Sequence, residues 1–101
     1  MKYLYILGAA GSIGRQTLDV IKEDPEQFHL IGLSLGSHDD INDQILQDIQ
    51  PEIVSLRYES QINRYQIKYP HIRFVAGEEG LIMLATYPKH GLFMNAISGS
   101  A

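Results

Sequence analysis

Five short runs of apolar residues recur along the chain, each separated from the next by a longer segment of mixed composition. The runs cover positions 3–7, 28–35, 53–56, 72–75 and 92–97. Continuous apolar runs of this length are typical of strands that are covered on both faces. The pattern therefore predicts five buried strands.

The segments between the runs carry apolar residues at helical spacing. They cover positions 13–23, 39–49, 59–69 and 77–87, and Asp24-Pro25 ends the first of them. Each helix should turn its apolar stripe toward the strands. The side chains expected to face inward are Ile13, Thr17, Val20, Ile21, Ile41, Ile45, Ile49, Ile62, Tyr65, Tyr69, Leu81, Leu84 and Ala85.

Strict alternation of strands and helices predicts the fold class. Right-handed crossovers between consecutive strands give a parallel sheet of about five strands with helices on both faces, the doubly wound (Rossmann-like) α/β arrangement. Ligands of such sheets bind beyond the carboxyl ends of the strands. The loops after Leu7, Leu35 and Ile97 are the candidates for a binding site.

The first of these loops carries a glycine pattern. Gly8, Gly11 and Gly14 form a G-x-x-G-x-x-G spacing between the first strand and the first helix. Gly8 permits a tight exit from the strand, Gly11 lets a phosphate approach the backbone, and Gly14 lets the helix approach the sheet. Backbone N–H groups and the positive end of the helix dipole then favour a diphosphate, to which Ser12 can add a hydroxyl donor.

Two other interpretations of the glycines remain at this point. The glycines could merely shape a strand-to-helix turn with no dinucleotide bound. A mononucleotide P-loop is disfavoured, because Arg15 and Gln16 follow the last glycine where a P-loop has Lys and Ser or Thr.

The end of the second strand distinguishes NAD from NADP. An acidic residue there would bind the ribose hydroxyls and repel a 2′-phosphate, but Ser34 and Leu35 occupy the position. The loop 36–38 offers amides, a hydroxyl and an imidazole, and Arg15 could add a cation, so NADP is favoured. Asp39 and Asp40 follow directly, and we expect one of them to cap the second helix and to point away from the cofactor.

Composition narrows the classes of protein. The 101 residues fit one domain, and a formal charge of −4 without charged blocks argues against nucleic acid or anionic membranes as partners. The absence of cysteine excludes thiolate chemistry and fits a cytoplasmic location. The first apolar run is too short for a membrane span. The four histidines are scattered, so no metal cluster is expected within this segment.

Six blocks in order resemble one enzyme family, the 1-deoxy-D-xylulose 5-phosphate reductoisomerases. The blocks read ILGAAGSIGRQTLDVI at 6–21, PEQF at 25–28, LSLG at 33–36, QPEIV at 50–54, GEEGL at 77–81 and MNAISGSA at 94–101. The family isomerises 1-deoxy-D-xylulose 5-phosphate and reduces the product with NADPH to 2-C-methyl-D-erythritol 4-phosphate, a step of non-mevalonate isoprenoid biosynthesis. A divalent metal, Mg²⁺ or Mn²⁺, assists the reaction.

The resemblance also implies roles for residues. Ala10, Gly11, Ser12 and Ile13 would hold the diphosphate, Gly8 would also belong to the cofactor-binding residues, and 95–100 would pass near the nicotinamide. Around the adenosine 2′-phosphate the resemblance places three further residues: Gly36, Ser37 and His38. Two departures accompany the match, since Ala10 is often a hydroxyl residue in the family and Ser37-His38 replace a Lys-Asn pair seen in some members.

The resemblance implies an incomplete domain. Family members are several times longer, so 1–101 would be an NAD(P)-binding domain without the metal- and substrate-binding and carboxy-terminal domains. No catalytic or metal-binding residue is assigned in this segment, and Ser98-Gly99-Ser100 is interpreted as a cofactor loop rather than a nucleophile. The full-length enzyme would be a cytoplasmic homodimer that acts on a sugar phosphate. The alternatives are another NAD(P)-dependent oxidoreductase, resembling homoserine dehydrogenase or dihydrodipicolinate reductase, or a sensory module that binds NAD(P) without turnover.

Overall fold

Strands and helices alternate along the chain as predicted. The computed structural model describes residues 2–97 and contains five strands and four α-helices within them. The elements are, in chain order, β1 (Lys2–Leu7), α1 (Ser12–Glu23), β2 (Phe28–Ser34), α2 (Asp39–Asp48), β3 (Ile53–Leu56), a 3₁₀ turn (Glu59–Gln61), α3 (Ile62–Lys68), β4 (Arg73–Ala76), α4 (Gly77–Ala85) and β5 (Leu92–Asn95).

All strand pairs in the sheet are parallel, and the strand order is β4-β3-β2-β1-β5. From β1 the chain adds β2, β3 and β4 on one side and then returns to place β5 on the other side of β1. The direction of the connections therefore reverses at β1, which is the point where doubly wound sheets form their ligand crevice. The predicted fold class is confirmed.

Helices cover both faces of the sheet, but unequally. On one face α1, α2 and α3 pack through residues such as Leu18, Leu46 and Tyr65. On the other face α4 packs through Leu84 against the central strands. Because successive strand residues point to opposite faces, each buried strand supplies both cores, which explains its continuous apolar sequence.

The predicted inward stripe of α1 is wrong in part. Ile13 and Val20 are 62% and 58% exposed. The buried positions are Gly14, Leu18 and Ile21, which also recur at helical spacing. Gly14 carries no apolar side chain and so does not register in a hydrophobic pattern, although it is the residue that contacts the first loop.

Three boundaries of helices and strands differ from the prediction by two residues or more. The third helix begins as the 3₁₀ turn, and α4 ends at Ala85. Of the three side chains of α4 that were predicted to face inward, Leu84 is buried, whereas Leu81 and Ala85 are exposed. Strand β5 ends at Asn95, and all four of its residues are exposed; it lies at an edge of the sheet, where Phe93 stacks on Tyr5.

Candidate functional site

A cleft of about 470 Å³ opens at the carboxyl edge of the sheet, within the size range of small-molecule sites. Four strand ends meet there, those of β1, β2, β3 and β5, together with the start of α4. The residues that line the cleft are Gly8, Ala10, Gly11, Ser34, Leu35, Gly36, Ser55, Leu56, Arg57, Gly77, Glu78, Leu81, Ala96 and Ile97.

Two glycines of the first loop are required by the backbone geometry. Gly8 has a φ of 78°, in the left-handed region that favours glycine, and a Cβ there would lie 2.8 Å from the Ile97 nitrogen. A Cβ on Gly14 would overlap the Gly8 carbonyl oxygen and lie 2.7 Å from the Ala9 Cα. Gly8 makes the predicted tight exit from the strand, whereas Gly14, predicted to let the helix approach the sheet, makes its close approach to the loop after β1.

Gly11 has a different environment. A Cβ on Gly11 would meet the Gly8 and Ala96 carbonyl oxygens at 3.5 and 3.7 Å, which are ordinary van der Waals distances. Protein packing therefore does not require a glycine here. Since Gly11 lines the cleft, the space its side chain would occupy is open to a ligand.

The first loop is tied to the end of β2. The Gly8 amide donates to Ser34 Oγ at 2.7 Å, and the Ala9 amide donates to the Ser34 carbonyl oxygen at 2.9 Å. These two amides are therefore already used within the protein. The amides of the first turn of α1 have no acceptor inside the helix, and no acidic residue lies in that turn. That helix start can receive an anion.

The second loop, which follows β2, is held by side chains from α2 and from the 3₁₀ turn before α3. Asn42 Nδ2 donates to the Gly36 carbonyl oxygen at 2.9 Å, and Gln61 Nε2 approaches the same oxygen at 3.5 Å. A Cβ on Gly36 would meet nothing within 4 Å. The backbone at Gly36 is thus fixed from the protein side and open on the cleft side.

Asn42 belongs to a buried polar network beneath this loop. Its side chain is fully buried and also donates to the Tyr65 hydroxyl at 3.0 Å, which in turn donates to Asp39 Oδ1 at 2.5 Å. Within residues 2–97 Asn42 Oδ1 has no hydrogen-bond partner. The side chain of Asn42 therefore stabilises the network through the two hydrogen bonds that it donates. Burial, and then the hydrogen bond to Asp39, raise the pKa of Tyr65 to about 12.

The network settles the position of one of the two acidic residues. Asp39 is bound by Tyr65 and lies 3.6 Å from Arg64 Nη1. Neither Asp39 nor Asp40 is the cap of α2, because His38 occupies that position and both acidic residues lie in the first turn. The predicted cap is wrong.

The structure brings the two predicted loops to one cleft. Four of the eight predicted cofactor residues line it, namely Gly8, Ala10, Gly11 and Gly36. The other four, Ser12, Ile13, Ser37 and His38, are exposed and directly follow lining residues in the sequence. Ala96 and Ile97, part of the segment 95–100 predicted to pass near the nicotinamide, line the cleft, whereas the third predicted loop, which follows Ile97 and includes Ser98-Gly99-Ser100, lies outside the described residues.

Sequence reasoning missed a fourth contributor to the cleft. Arg57 follows β3 directly and lines the cleft, as does the start of α4 with Gly77, Glu78 and Leu81. A cation directly after a buried parallel strand is a usable signal, because every such strand ends at the same edge. Arg15, considered as a cation for the cofactor, instead lines a separate groove between α1 and α2, 3.5 Å from Gln44 Oε1.

Two further features bear on the kind of site. Within residues 2–97, no three His, Asp or Glu side chains lie close enough together to hold a metal ion. Among the helices of the same part of the chain, none has the length and apolar character needed to cross a membrane.

The strand order, the glycine loop and the cleft at the carboxyl edge together define a doubly wound, Rossmann-like α/β domain. The model of the 1-deoxy-D-xylulose 5-phosphate reductoisomerase family matches residues 4–101. The chain belongs to this family.

Relatives with curated names agree with the family match. The chain is 39% identical over 100 residues to a 1-deoxy-D-xylulose 5-phosphate reductoisomerase of Bacillus cereus (strain AH187), and 38% identical over 101 residues to that of Geobacillus sp. (strain WCH70). Each match covers 99% of this chain and 26% of the relative. The chain thus spans about a quarter of the length of these relatives.

Solved structures are similar as well. A crystal structure of DOX-P reductoisomerase in complex with NADPH, fosmidomycin and magnesium matches 96% of this chain and 24% of its own, with a TM-score of 0.85 and 26% identity. The Zymomonas mobilis reductoisomerase in complex with NADPH matches 85% of this chain and 23% of its own, with a TM-score of 0.75 and 22% identity, which supports the fold alone. Neither alternative, the homoserine-dehydrogenase-like oxidoreductase or the sensory module, is favoured by these matches.

Proposed function

We propose that residues 1–101 form the NADPH-binding domain of a reductoisomerase that converts 1-deoxy-D-xylulose 5-phosphate to 2-C-methyl-D-erythritol 4-phosphate. One observation carries the proposal: the glycine loop that leads into α1 and the non-acidic end of β2 line a single cleft at the switch point of the sheet. This arrangement can hold a diphosphate and an adenosine that bears an extra phosphate.

The part of the site that holds the diphosphate is built from backbone groups. Gly11 leaves space for a phosphate oxygen, and the amides of Ser12 and Ile13 belong to the first turn of α1, where donors have no intrahelical acceptor. The helix dipole adds a partial positive charge at the same point. Ala10 contributes its backbone only, since its side chain has no donor.

The part of the site that holds the adenosine is formed by the second loop, which follows β2. Gly36 keeps the cleft open, and Ser37 and His38 present a hydroxyl and an imidazole beside it. The carboxylate of Asp39 accepts a hydrogen bond from Tyr65 and lies 3.6 Å from Arg64 Nη1, so its negative charge is partly offset within the protein. This part of the cleft fits NADPH better than NADH.

The part of the site that holds the nicotinamide is proposed to lie beside β5, where Ala96 and Ile97 line the cleft. Bound NADPH would supply a hydride there. The residues of this chain then orient the dinucleotide along the sheet edge and exclude water through the apolar side chains Leu81, Ala96 and Ile97. The catalytic residues, the ligands of Mg²⁺ or Mn²⁺ and the contacts to the sugar phosphate are proposed to lie in further domains of a cytoplasmic, homodimeric enzyme.

Calorimetric titration of the intact protein with NADPH, NADH and ATP tests the binding site. We expect binding of NADPH and weaker binding of NADH. Tight binding of ATP together with no binding of either dinucleotide would overturn the proposal, because it would assign the glycine loop to a mononucleotide.

An activity assay tests the reaction itself. Oxidation of NADPH by the intact protein should require both 1-deoxy-D-xylulose 5-phosphate and a divalent metal ion. NADPH binding without substrate-dependent oxidation would contradict the reductoisomerase assignment and leave only the dinucleotide site standing.

A further inference from the structure

The second loop contains no permanent positive charge, although a 2′-phosphate carries about two negative charges near neutral pH. Ser37 and His38 occupy the positions beside Gly36, and Arg15 lies in a different groove. If the cleft binds NADPH, as proposed above, the charge of the 2′-phosphate needs a cationic partner from elsewhere in the fold.

Arg57 is the one Lys or Arg that lines the cleft among residues 2–97. The ends of β2 and β3 are joined by a hydrogen bond from the Leu35 amide to the Ser55 carbonyl oxygen at 2.9 Å. Gly36 directly follows Leu35, Arg57 lies two residues after Ser55, and both line the same space. The segment after β3 also folds back toward the second loop, since Gln61 Nε2 approaches the Gly36 oxygen at 3.5 Å.

The charge of Arg57 is not neutralised by the part of the chain that the structure describes. There, no carboxylate forms a salt bridge with it, whereas Lys22, Arg64, Lys68 and Lys89 are all paired with acidic side chains. The guanidinium lies 5.4 Å above the Tyr58 ring, a contact that holds its plane without using its N–H donors. An exposed, unpaired guanidinium is suited to two parallel hydrogen bonds with a phosphate.

We infer that Arg57 binds the 2′-phosphate of the adenosine ribose and is the residue that makes this protein select NADPH over NADH. The inference rests on the proposed function. It assigns to the end of β3 the positive charge that the loop after β2 lacks. Glu78 lines the same cleft from the start of α4, but among the described residues it forms no salt bridge with Arg57.

Calorimetric titration of the intact Arg57→Gln protein with NADPH and NADH tests the inference. A charge-assisted pair of hydrogen bonds corresponds to a loss of NADPH affinity of about 10- to 100-fold, while the NADH affinity should stay within about twofold. Arg57→Lys should keep part of the preference, because it retains the charge and loses the paired donors. Arg73→Gln is the matched control: it removes an exposed arginine at the start of β4, at the opposite edge of the sheet, and should change neither affinity.

The possible outcomes separate the inference from the function on which it rests. Wild-type protein that binds neither dinucleotide would overturn both. Wild-type protein that prefers NADPH, with the preference intact in Arg57→Gln, would overturn the role of Arg57 and leave the function standing. Equal weakening of NADPH and NADH would also overturn it, since Arg57 would then contact a part shared by both cofactors.

Discussion

The two loops of the cleft are built in different ways. The first, after β1, takes its shape from glycine backbone, with Gly8 in a left-handed conformation and Gly14 pressed against it. The second, after β2, is held by side chains from other elements, chiefly Asn42 and Tyr65. A loop whose shape comes from glycine backbone can be predicted from a local sequence motif. A loop that is held by side chains of other elements depends on contacts that form only in the complete fold.

The largest expected effect breaks the first loop. Gly14→Val should lower the free energy of unfolding by about 3 kcal/mol, because its Cβ would overlap backbone atoms of Gly8 and Ala9 that no change of rotamer can relieve. NADPH binding should be lost with it. Urea denaturation and calorimetry measure the two effects.

Gly36→Ala is the matched glycine substitution in the second loop. Its Cβ would meet no protein atom within 4 Å, so the free energy of unfolding should change by less than about 0.5 kcal/mol. Equal destabilisation by the two substitutions would show that the loops do not differ in the way described.

The second effect breaks the second loop from beneath. Asn42→Ala removes the donors to Gly36 and Tyr65, and it should cost about 1 to 3 kcal/mol of stability. Hydrogen exchange of the Ser37 and His38 amides should become faster while exchange in the first loop stays unchanged. Gln44→Ala, an exposed change on the same helix, serves as the control. Unchanged exchange at Ser37 and His38 would show that Asn42 does not hold the loop.

A third substitution concerns the connection between the two loops. Ser34→Ala removes the acceptor of the Gly8 amide and should cost about 1 to 2 kcal/mol, measured by urea denaturation. NADPH affinity should fall as well, since Gly8 positions the phosphate-binding turn. Ser60→Ala removes an exposed hydroxyl and should change stability by less than about 0.5 kcal/mol. If both serine variants behave alike, Ser34 does not anchor the first loop.

The smallest effect is a pH dependence of the second loop. Burial raises the pKa of Tyr65 to about 12 from an ordinary value of 10.0, so the folded state favours the neutral hydroxyl. Its contribution to stability is complete below pH 10.0 and is lost as the pH rises to about 12.

Comparison with Tyr65→Phe isolates this contribution. The variant should be less stable by about 1 kcal/mol at neutral pH, through loss of the hydrogen bonds to Asp39 and Asn42. Its stability should then fall less steeply than that of the wild type in alkaline solution. Urea denaturation across the pH range measures both, and parallel curves for the two proteins would contradict the assignment.

The fold was predictable from local patterns, because continuous apolar runs predict the buried strands and helical spacing of apolar residues predicts the helices. The site was predictable where a loop borders a strand in sequence, as at Gly8 and Gly36. Arg57 also follows a strand directly, which places it at the same edge of the sheet, but its position beside Gly36 depends on the pairing of β2 with β3, which no local pattern gives. The stripe of α1 was misassigned for a related reason: Gly14 makes a close contact through the absence of a side chain.

Soaking crystals of the intact protein with NADPH tests the central claim most directly. The account predicts diphosphate oxygens within hydrogen-bonding distance of the Ser12 and Ile13 amides, about 3 Å, with the adenosine ribose between Gly36 and the end of β3. A dinucleotide bound with its diphosphate away from the start of α1 would contradict the account.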